Sequence, residues 1–312
     1  MTRHILLTGG TGYLGAHIAR DLLSRGENIT ILTRPSSQRD TIDRILAEDV
    51  DQTALTLTVA PATRELAEWV MSIAPDAIIH TAASGGAVHT PADIPDLISA
   101  NVTLGTTLLE AATLLRNKDG RARPMVYCGS FWQHASGTDA LIANSLYAAA
   151  KSAFEVIAEY YRQSHDARVV GIKFFDIYGP KDSRKRVIDL LLDATFAETA
   201  QPFSKGEQII APIYVDDAVH AIMHVLSLLD TDHAGALTYA ADGPLRLNLR
   251  ELADLVADVT GCPPKVDWGA LPYRDQQIFT PAQLPRPPGW APKVSLRSGI
   301  EKLIAARANP RI

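Results

Sequence analysis

Tyr147 and Lys151 lie four residues apart in the segment 144–155, which reads NSLYAAAKSAFE and is rich in helix formers. On a helix, positions four apart share a face, so the lysine ammonium can lie beneath the tyrosine hydroxyl. A tyrosine ordinarily keeps its proton at neutral pH, but a neighbouring cation stabilises the phenolate. The alternative is a tyrosine in the core and a lysine paired with Glu155 on the surface. That pair would place lysine before glutamate, the weaker orientation, so the spacing favours a proton-transfer pair.

Ser130 lies two residues after 125–128, an apolar run that is typical of a β-strand. In parallel α/β sheets the carboxyl ends of the strands form the ligand crevice. A serine hydroxyl there can donate to a substrate carbonyl and share its proton with Tyr147. A lone serine at a strand end is more often a turn former, which is the alternative interpretation of Ser130.

A glycine-rich loop forms the first strand-to-helix turn, where residues 8–15 read TGGTGYLG. Gly9 suits a tight turn, Gly12 lets the backbone approach a diphosphate, and Gly15 allows close packing of the helix. The free N–H groups at the helix start favour phosphate oxygens. Three glycines can also serve a plain β-to-α turn, but their place between a strand and a helix indicates a dinucleotide site.

The end of the second predicted strand indicates which dinucleotide binds. An NAD site typically carries a carboxylate here, which accepts hydrogen bonds from the ribose hydroxyls. This chain instead reads LTRP at 32–35, and Arg34 with Thr33 can hold a 2′-phosphate. A solvated loop arginine is the alternative interpretation. The pattern favours NADPH (NADP) over NAD as the cofactor.

The elements that must position these residues alternate along the first half of the chain. Apolar runs predict strands at 4–8, 29–33, 55–59, 77–81, 125–128 and 169–174, with helices between them at 12–25, 64–73, 96–117 and 145–164. Strands this continuously apolar are usually covered on both faces, which predicts an α/β fold with a doubly wound parallel sheet, a Rossmann fold. We expect a dinucleotide-binding domain at 1–178, to which 209–240 returns, and a smaller C-terminal substrate-binding lobe at 179–312.

Composition excludes several classes of protein. With 46% hydrophobic and 21% charged residues in 312, the chain has an ordinary globular composition, and its formal charge of -5 gives no electrostatic reason to bind nucleic acid. No secretory signal is recognised and no run is judged long enough to span a membrane. Cys128 and Cys262 form no paired motif. These features predict a soluble cytoplasmic protein.

Two further patterns have simple interpretations. His220 and His224 share a helical face, a spacing that can bind zinc, but Ala221 occupies the position of the glutamate in the zinc-protease motif. We interpret the two histidines as an ordinary pair on a helix, either hydrogen-bonded or exposed. Asp216 and Asp217 precede a predicted helix and are interpreted as its N-terminal cap. No metal site is predicted.

Several blocks together resemble the extended short-chain dehydrogenase/reductases, which include nucleotide-sugar epimerases, dehydratases and ketoreductases. The blocks are TGGTGYLG at 8–15, HTAA at 80–83, NVTLGTTLLEAA at 101–112, Ser130, YAAAK at 147–151, DIYGP at 176–180, YVDD at 214–217 and GWAPKVSLRSGI at 289–300. The resemblance implies a catalytic Ser130, Tyr147 and Lys151. For Asn101 it implies either a structural role in the long helix, which we favour, or contact with a water linked to Lys151. It implies cofactor contacts from Gly9, Thr11, Gly12, Tyr13, Leu14, Gly15, Thr33, Arg34, Ala82, Ala83, Tyr147, Lys151 and Phe174.

The residues after Ser130 narrow the chemistry. Dehydratases of this family carry an acidic pair there, because removing water across two carbons needs an acid and a base. This chain has Phe131 and Trp132, which cannot transfer those protons but can stack on a deoxysugar. The strings SFWQ, NSLYAAAK and KFFDIYGP are most similar to the CDP-abequose and CDP-paratose synthase branch, which reduces a 4-keto-deoxysugar with NADPH.

The same resemblance implies a substrate site with one departure. In relatives an arginine shortly before the YVDD block binds the substrate diphosphate, whereas this chain reads QIIAP at 208–212. Diphosphate binding would then depend on Arg274, with Arg184 or Arg186 as further candidates. The substrate-binding residues implied are Ser84, Phe131, Trp132, Asp176, Arg184, Arg186, Gln208 and Arg274.

The leading hypothesis is an NADPH-dependent reductase of a nucleotide-linked 4-keto-6-deoxysugar. The alternatives are an NAD-dependent nucleotide-sugar 4-epimerase and a non-catalytic NADP-binding sensor or scaffold. The resemblance also implies a homodimer in which 96–117 and 145–164 pair across a two-fold axis. Apolar residues available for that seam are Leu104, Leu108, Leu115, Phe154, Ile157 and Tyr161.

Overall fold

The computed structural model describes residues 2–46, 50–231 and 235–308. The strands are β1 (His4–Thr8), β2 (Asn28–Thr33), β3 (Leu55–Val59), β4 (Ala77–His80), β5 (Met125–Ser130), β6 (Val169–Phe174), β7 (Ile177–Tyr178), β8 (Gln201–Phe203), β9 (Ile209–Ile210), β10 (Ile213–Tyr214), β11 (Thr238–Ala241), β12 (Leu247–Asn248) and β13 (Val266–Trp268). The α-helices are α1 (Tyr13–Ser24), α2 (Asp40–Leu46), α3 (Thr63–Ile73), α4 (Ile94–Ile98), α5 (Leu104–Leu114), α6 (Leu146–His165), α7 (Val187–Phe196), α8 (Val215–Asp230), α9 (Leu249–Thr260) and α10 (Leu296–Ala308).

Seven strands form one parallel sheet in the order β11-β6-β5-β4-β1-β2-β3. The predicted doubly wound sheet is therefore confirmed. The strand order reverses at β1, which pairs with β2 on one side and β4 on the other. A reversal of this kind opens a crevice at the carboxyl ends of the strands, where open α/β sheets bind ligands.

Both faces of the sheet are buried because alternate residues of its strands point to opposite sides. In β1, Ile5 and Leu7 belong to a core cluster shared with α1 and α8, while Leu6 belongs to a second cluster shared with α3, α5 and α6. All six residues of β6 are buried. The apolar strands thus fix the sheet between two helical layers.

The predicted helix at 96–117 begins earlier and ends earlier. A helical stretch covers 91–114, with a π-helical turn at Ser99–Thr103 between α4 and α5. By length and composition alone, Pro91–Leu114 could cross a membrane, contrary to the expectation that no run could. Its apolar side is instead accounted for by packing, since Leu97, Leu108 and Leu109 are buried against the rest of the subunit.

The second half of the chain adds one further strand of the main sheet and several short strands whose pairing the sequence patterns did not reveal. The strand β11 pairs in parallel with β6 and becomes the edge of the main sheet. Three two-stranded sheets lie outside it, pairing β7 with β10, β9 with β12, and β8 with β13. The helices α7 and α9 pack together beside them. These short pieces form one wall of the cleft described next.

Candidate active site

A large cleft of about 1510 Å³ runs across the carboxyl ends of the sheet strands. Its walls include every residue predicted to contact the cofactor, as well as Ser130. The glycine loop and the Tyr147 and Lys151 pair therefore open onto the same space, although more than 130 positions separate them in the chain.

The glycine loop has the backbone shape that a diphosphate cradle requires. Gly9 has a φ of +74°, and a Cβ there would come within 2.6 Å of the Ala82 amide nitrogen. The amide of Gly12 donates to the carbonyl of Gly9 at 2.9 Å, which closes the turn. No side chain caps the start of α1. The first amide groups of the helix are thus left for phosphate oxygens, and the loop fits a dinucleotide.

The end of β2 is open and basic. Arg34 is exposed, and its backbone amide donates to the Ser37 hydroxyl at 3.0 Å. Within the described ranges, the Arg34 guanidinium has no hydrogen bond or ion pair to another residue. The acidic residues on the cleft wall are Asp96, Asp176 and Asp193, none of which belongs to β2 or the turn after it.

Tyr147 and Lys151 lie one turn apart on α6, at the end that faces the cleft. The Lys151 Nζ atom lies 5.3 Å from the centre of the Tyr147 ring and donates a hydrogen bond of 2.7 Å to the carbonyl of Cys128. Burial raises the pKa of the Cys128 thiol to about 12, so that thiol stays protonated. Glu155 is buried and has other partners, which removes the interpretation of Lys151 as half of a surface pair.

Ser130 is the last residue of β5, which extends two residues beyond the predicted end. Its hydroxyl oxygen accepts a hydrogen bond from the Trp132 amide at 3.2 Å, and it caps a short 3₁₀ turn at Phe131–Gln133. Trp132 packs edge-on against the Tyr147 ring, with centroids 6.3 Å apart. The turn therefore brings Ser130 to the part of the cleft where Tyr147 lies.

A buried ion pair between Lys173 and Glu155 joins β6 to α6 beside the turn that carries Ser130. The Lys173 ammonium lies 2.9 Å from a carboxylate oxygen of Glu155, and both side chains are at most 9% exposed. Lys173 also contacts the Nε2 atom of His134 at 2.8 Å, and burial lowers the pKa of this lysine. The ring of His134 faces the Asp139 carbonyl through Nδ1, so Nδ1 carries the proton and Nε2 accepts.

Gln133 connects that ion pair to the candidate catalytic serine. Its amide nitrogen donates to Glu155 at 2.6 Å, and its amide oxygen accepts from the Ser130 backbone amide at 2.8 Å. Glu155 is one turn along α6 from Lys151, so the network joins the end of β5 to the helix of the tyrosine. The sequence analysis missed this network, although Lys173, the next-to-last residue of the buried strand VVGIKF, was a signal of a buried charge.

A second polar contact joins β1 to β4 below the crevice. The Thr8 hydroxyl and His80 Nδ1 lie 2.7 Å apart, and burial together with the nearby Lys151 lowers the pKa of His80 to about 3. His80 is therefore neutral. Asn101, in the π-helical turn, donates to the carbonyls of Ser84 and Leu97 at 2.6 and 2.9 Å, which fits the structural role expected of it.

Six of the residues predicted to bind substrate lie on the cleft wall, and two do not. The six are Trp132, Asp176, Arg184, Arg186, Gln208 and Arg274. Phe131 is instead 1% exposed and packs against Phe175, because the 3₁₀ turn points successive side chains in different directions. Ser84 is outside the described lining and contributes its carbonyl to Asn101. Ile210, from the segment in which the resemblance led us to expect an arginine, lines the cleft.

The two remaining sequence patterns lie away from the cleft. The carboxylate of Asp217 accepts from the amides of Lys293 and Val294 at 2.9 Å, so it holds the C-terminal segment. Since Asp216 and Asp217 lie inside the first turn of α8, the interpretation as an N-terminal cap was wrong. His224 contacts the Pro288 carbonyl at 2.7 Å. No group of three or more potential metal ligands occurs among the residues described.

A doubly wound sheet with a glycine cradle and a tyrosine-lysine pair on one cleft defines a protein of the extended short-chain dehydrogenase/reductase class. Residues 5–238 match the family described as the NAD dependent epimerase/dehydratase family, and the chain belongs to it. It is accordingly an NAD(P)-dependent enzyme.

Similar proteins within this class have different activities. The chain is 23% identical to a CDP-abequose synthase from Salmonella muenchen, over 98% of this chain and 99% of that protein. It is 26% identical to a dTDP-glucose 4,6-dehydratase from Streptomyces griseus, over 98% and 94%. The solved UDP-glucose 4-epimerase from Thermotoga maritima, with UDP-glucose, superposes with a TM-score of 0.78 at 17% identity, over 98% of this chain and 99% of that one. At this level of sequence identity, the likeness shows that the two proteins share a fold.

Proposed function

We propose that this enzyme acts on a nucleotide-linked sugar and uses NADPH to reduce the C4 keto group of a 4-keto-6-deoxysugar. The observation that carries the proposal is the arrangement of Ser130, Tyr147 and Lys151 on the cleft that also holds the glycine cradle. The similarity to CDP-abequose synthase over almost the whole chain supports the substrate class.

Each residue has a defined task in this reaction. The bound cofactor supplies the hydride that C4 receives. Ser130 donates a hydrogen bond to the C4 oxygen and polarises the carbonyl, while Tyr147 supplies the proton that this oxygen gains. Lys151 is fixed by the Cys128 carbonyl beside the tyrosine ring, where its charge stabilises the phenolate left after proton transfer.

The test of this function is to incubate the purified protein with NADPH and CDP-, dTDP- or UDP-linked 4-keto-6-deoxyhexoses. We expect loss of NADPH absorbance with at least one of them and a product with a new C4 hydroxyl. Stable binding of NADPH with no oxidation across the whole panel would contradict the reductase and favour the non-catalytic alternative.

The second candidate is a nucleotide-sugar 4-epimerase, an activity that the description of the matching NAD dependent epimerase/dehydratase family includes. An epimerase must keep its NAD through many cycles, whereas a reductase must release NADP⁺ at every turnover. Dehydratase chemistry is disfavoured, because Phe131 and Trp132 replace the acidic pair it needs. The cofactor therefore separates the two remaining candidates.

NADPH is expected to bind more tightly than NADH, and Arg34→Ala is expected to remove most of that difference. Arg34 has no ion-pair partner within the described ranges, so its guanidinium is available to a 2′-phosphate. A hydrogen bond to a charged group contributes about 1.5 to 3 kcal/mol. Titration of the purified protein with each cofactor, followed by nucleotide fluorescence, measures the preference.

Arg39→Ala is the matched control, since Arg39 is exposed near the same turn but is paired with Asp43 at 3.2 Å. It is expected to leave the NADPH preference unchanged. Protein that purifies with stoichiometric NAD, or that binds both reduced cofactors equally, would move the assignment to the epimerase.

We also propose a homodimer, through a surface that differs in part from the predicted seam. Leu108 and Phe154 are buried inside the subunit and cannot contribute. The exposed apolar side chains on α4 and α6 are Ile94, Ile98, Val156 and Tyr160, with exposed fractions of 38% to 64%. Two helices that present such residues can bury them against a second copy.

Light scattering at micromolar concentration is expected to give the mass of a dimer. Val156→Asp is expected to shift the protein toward the monomer, because a carboxylate would be buried in the interface without a partner. Phe196→Asp is the control, since Phe196 is 75% exposed on α7, away from that surface. A monomeric wild-type protein would overturn the assembly.

A further inference from the structure

The substrate side of the cleft holds several basic residues, but most of them are already paired. Arg184 makes two hydrogen bonds of 2.9 Å to the Asp182 carboxylate. Lys185 donates to Asp193 at 2.8 Å. Within the described ranges, the Arg274 side chain has no hydrogen bond or ion pair. Arg184 and Lys185 are thus already bound to carboxylates, whereas Arg274 is available to a diphosphate.

Arg186 is paired with a carboxylate that itself lies on the wall of the cleft. Its Nη1 atom lies 3.2 Å from an Asp176 carboxylate oxygen, and both side chains line the cleft. Its Nε atom lies 3.7 Å from a carboxylate oxygen of Asp182, which is buried behind it and outside the cleft lining. Asp176 follows the end of β6, where the sheet opens toward ligands, while Arg186 caps the start of α7. An acidic side chain therefore occupies the cleft face of an arginine that could otherwise meet an anionic substrate.

The charged groups that act on Asp176 come from three elements. They are Arg186 at the start of α7, Asp182 and Arg184 in the segment after β7, and Arg274 in the segment after β13. Three arginines and two aspartates give this cluster one net positive charge while Asp176 is ionised. If Asp176 takes up a proton, the cluster has two positive charges, which equals the charge of a sugar-linked diphosphate with the opposite sign.

We propose that Asp176 is an internal counter-ion, which holds Arg186 in the free enzyme and takes up a proton from solvent when a substrate diphosphate binds to Arg186 and Arg274. This inference rests on the proposed function, in which the substrate is a nucleotide diphosphate sugar. Two observations support it: the pair lies on the cleft wall, and the Arg274 side chain on the same wall has no hydrogen bond or ion pair to any residue that the structure describes.

The direction of the pH effect follows from the charges. Burial raises the pKa of Asp176, although the surrounding arginines oppose that shift. As pH falls, the carboxyl becomes neutral and no longer repels the diphosphate, so the nucleotide sugar binds more tightly. The diphosphate of a nucleotide sugar has no terminal phosphate monoester, the group that titrates near pH 6, so this dependence belongs to the protein.

Isothermal titration calorimetry with UDP-, CDP- and dTDP-glucose tests the inference without knowledge of the true sugar. Titrations at one pH in two buffers of different ionisation enthalpy measure the protons taken up on binding. We expect the wild type to take up protons and to bind more weakly as pH rises from 5.5 to 8. For Asp176→Asn we expect no proton uptake, a flat pH profile and about tenfold tighter binding at pH 8, as expected when one like charge is removed.

Asp96→Asn is the matched control, because it removes the same charge from another part of the cleft wall. It is expected to keep the proton uptake and pH dependence of the wild type, and NADPH affinity reports whether both variants are folded. Unchanged or weaker binding by Asp176→Asn, or binding by the wild type without proton uptake, would overturn the inference alone. A wild type that binds NADPH but none of the nucleotide sugars would overturn it together with the proposed substrate class.

Discussion

Replacing Tyr147 with phenylalanine is expected to lower turnover by about 10² to 10⁴-fold, the usual contribution of a positioned acid or base. Phenylalanine keeps the ring that packs edge-on against Trp132 and lies beside Lys151. It removes only the hydroxyl that supplies the proton to the C4 oxygen. Steady-state oxidation of NADPH with the best sugar of the panel measures the loss.

The affinity for NADPH should change little in Tyr147→Phe, because the glycine loop and Arg34 are untouched. Tyr160→Phe is a suitable control, since Tyr160 lies on the same helix outside the cleft lining, and the change keeps its ring and removes only the hydroxyl that contacts His165. It should retain full turnover. An active Tyr147→Phe would contradict the assignment of this residue as the proton donor.

Replacing Lys173 with methionine is expected to lower the free energy of unfolding by about 3 to 5 kcal/mol, the cost of removing one partner from a buried ion pair. Methionine fills most of the space but leaves the Glu155 carboxylate buried without its cation. The His134 nitrogen that accepts from Lys173 also loses its partner. Denaturation by urea, followed by circular dichroism, measures the change.

The double variant Glu155→Gln with Lys173→Met is expected to recover part of that loss, since no charge then remains buried. Lys118→Met is the control, because Lys118 is exposed and surface substitutions usually change stability by about 0.5 kcal/mol or less. A double variant as unstable as the sum of its single variants would show that the pair is not coupled.

The local parts of the site could be predicted because their geometry depends on short spacings. A strand, three glycines and a helix start are consecutive in the chain, so residues 8–15 were sufficient to predict a cradle. The four-residue spacing of Tyr147 and Lys151 places them on one helical face whatever surrounds the helix. The apolar runs of the first half predicted a parallel sheet for the same reason: their alternation with helices is visible without the fold.

Contacts between distant segments were decided only by the tertiary structure. The sequence could not show that Glu155 pairs with Lys173 rather than Lys151, because that choice depends on how α6 lies across β6. It assigned Phe131 and Trp132 the same role, but the 3₁₀ turn buries the first and exposes the second to the cleft.

The sequence alone therefore predicted six of the seven sheet strands, the glycine turn and the spacing of the tyrosine and lysine, because periodicity and local turns depend on residues that are neighbours in the chain. The pairing of Asp176 with Arg186 and the addition of β11 to the sheet were decided by packing. Ion pairs and strand pairings form between groups that are close in space. Those distances are fixed only when the two layers of helices pack against the sheet.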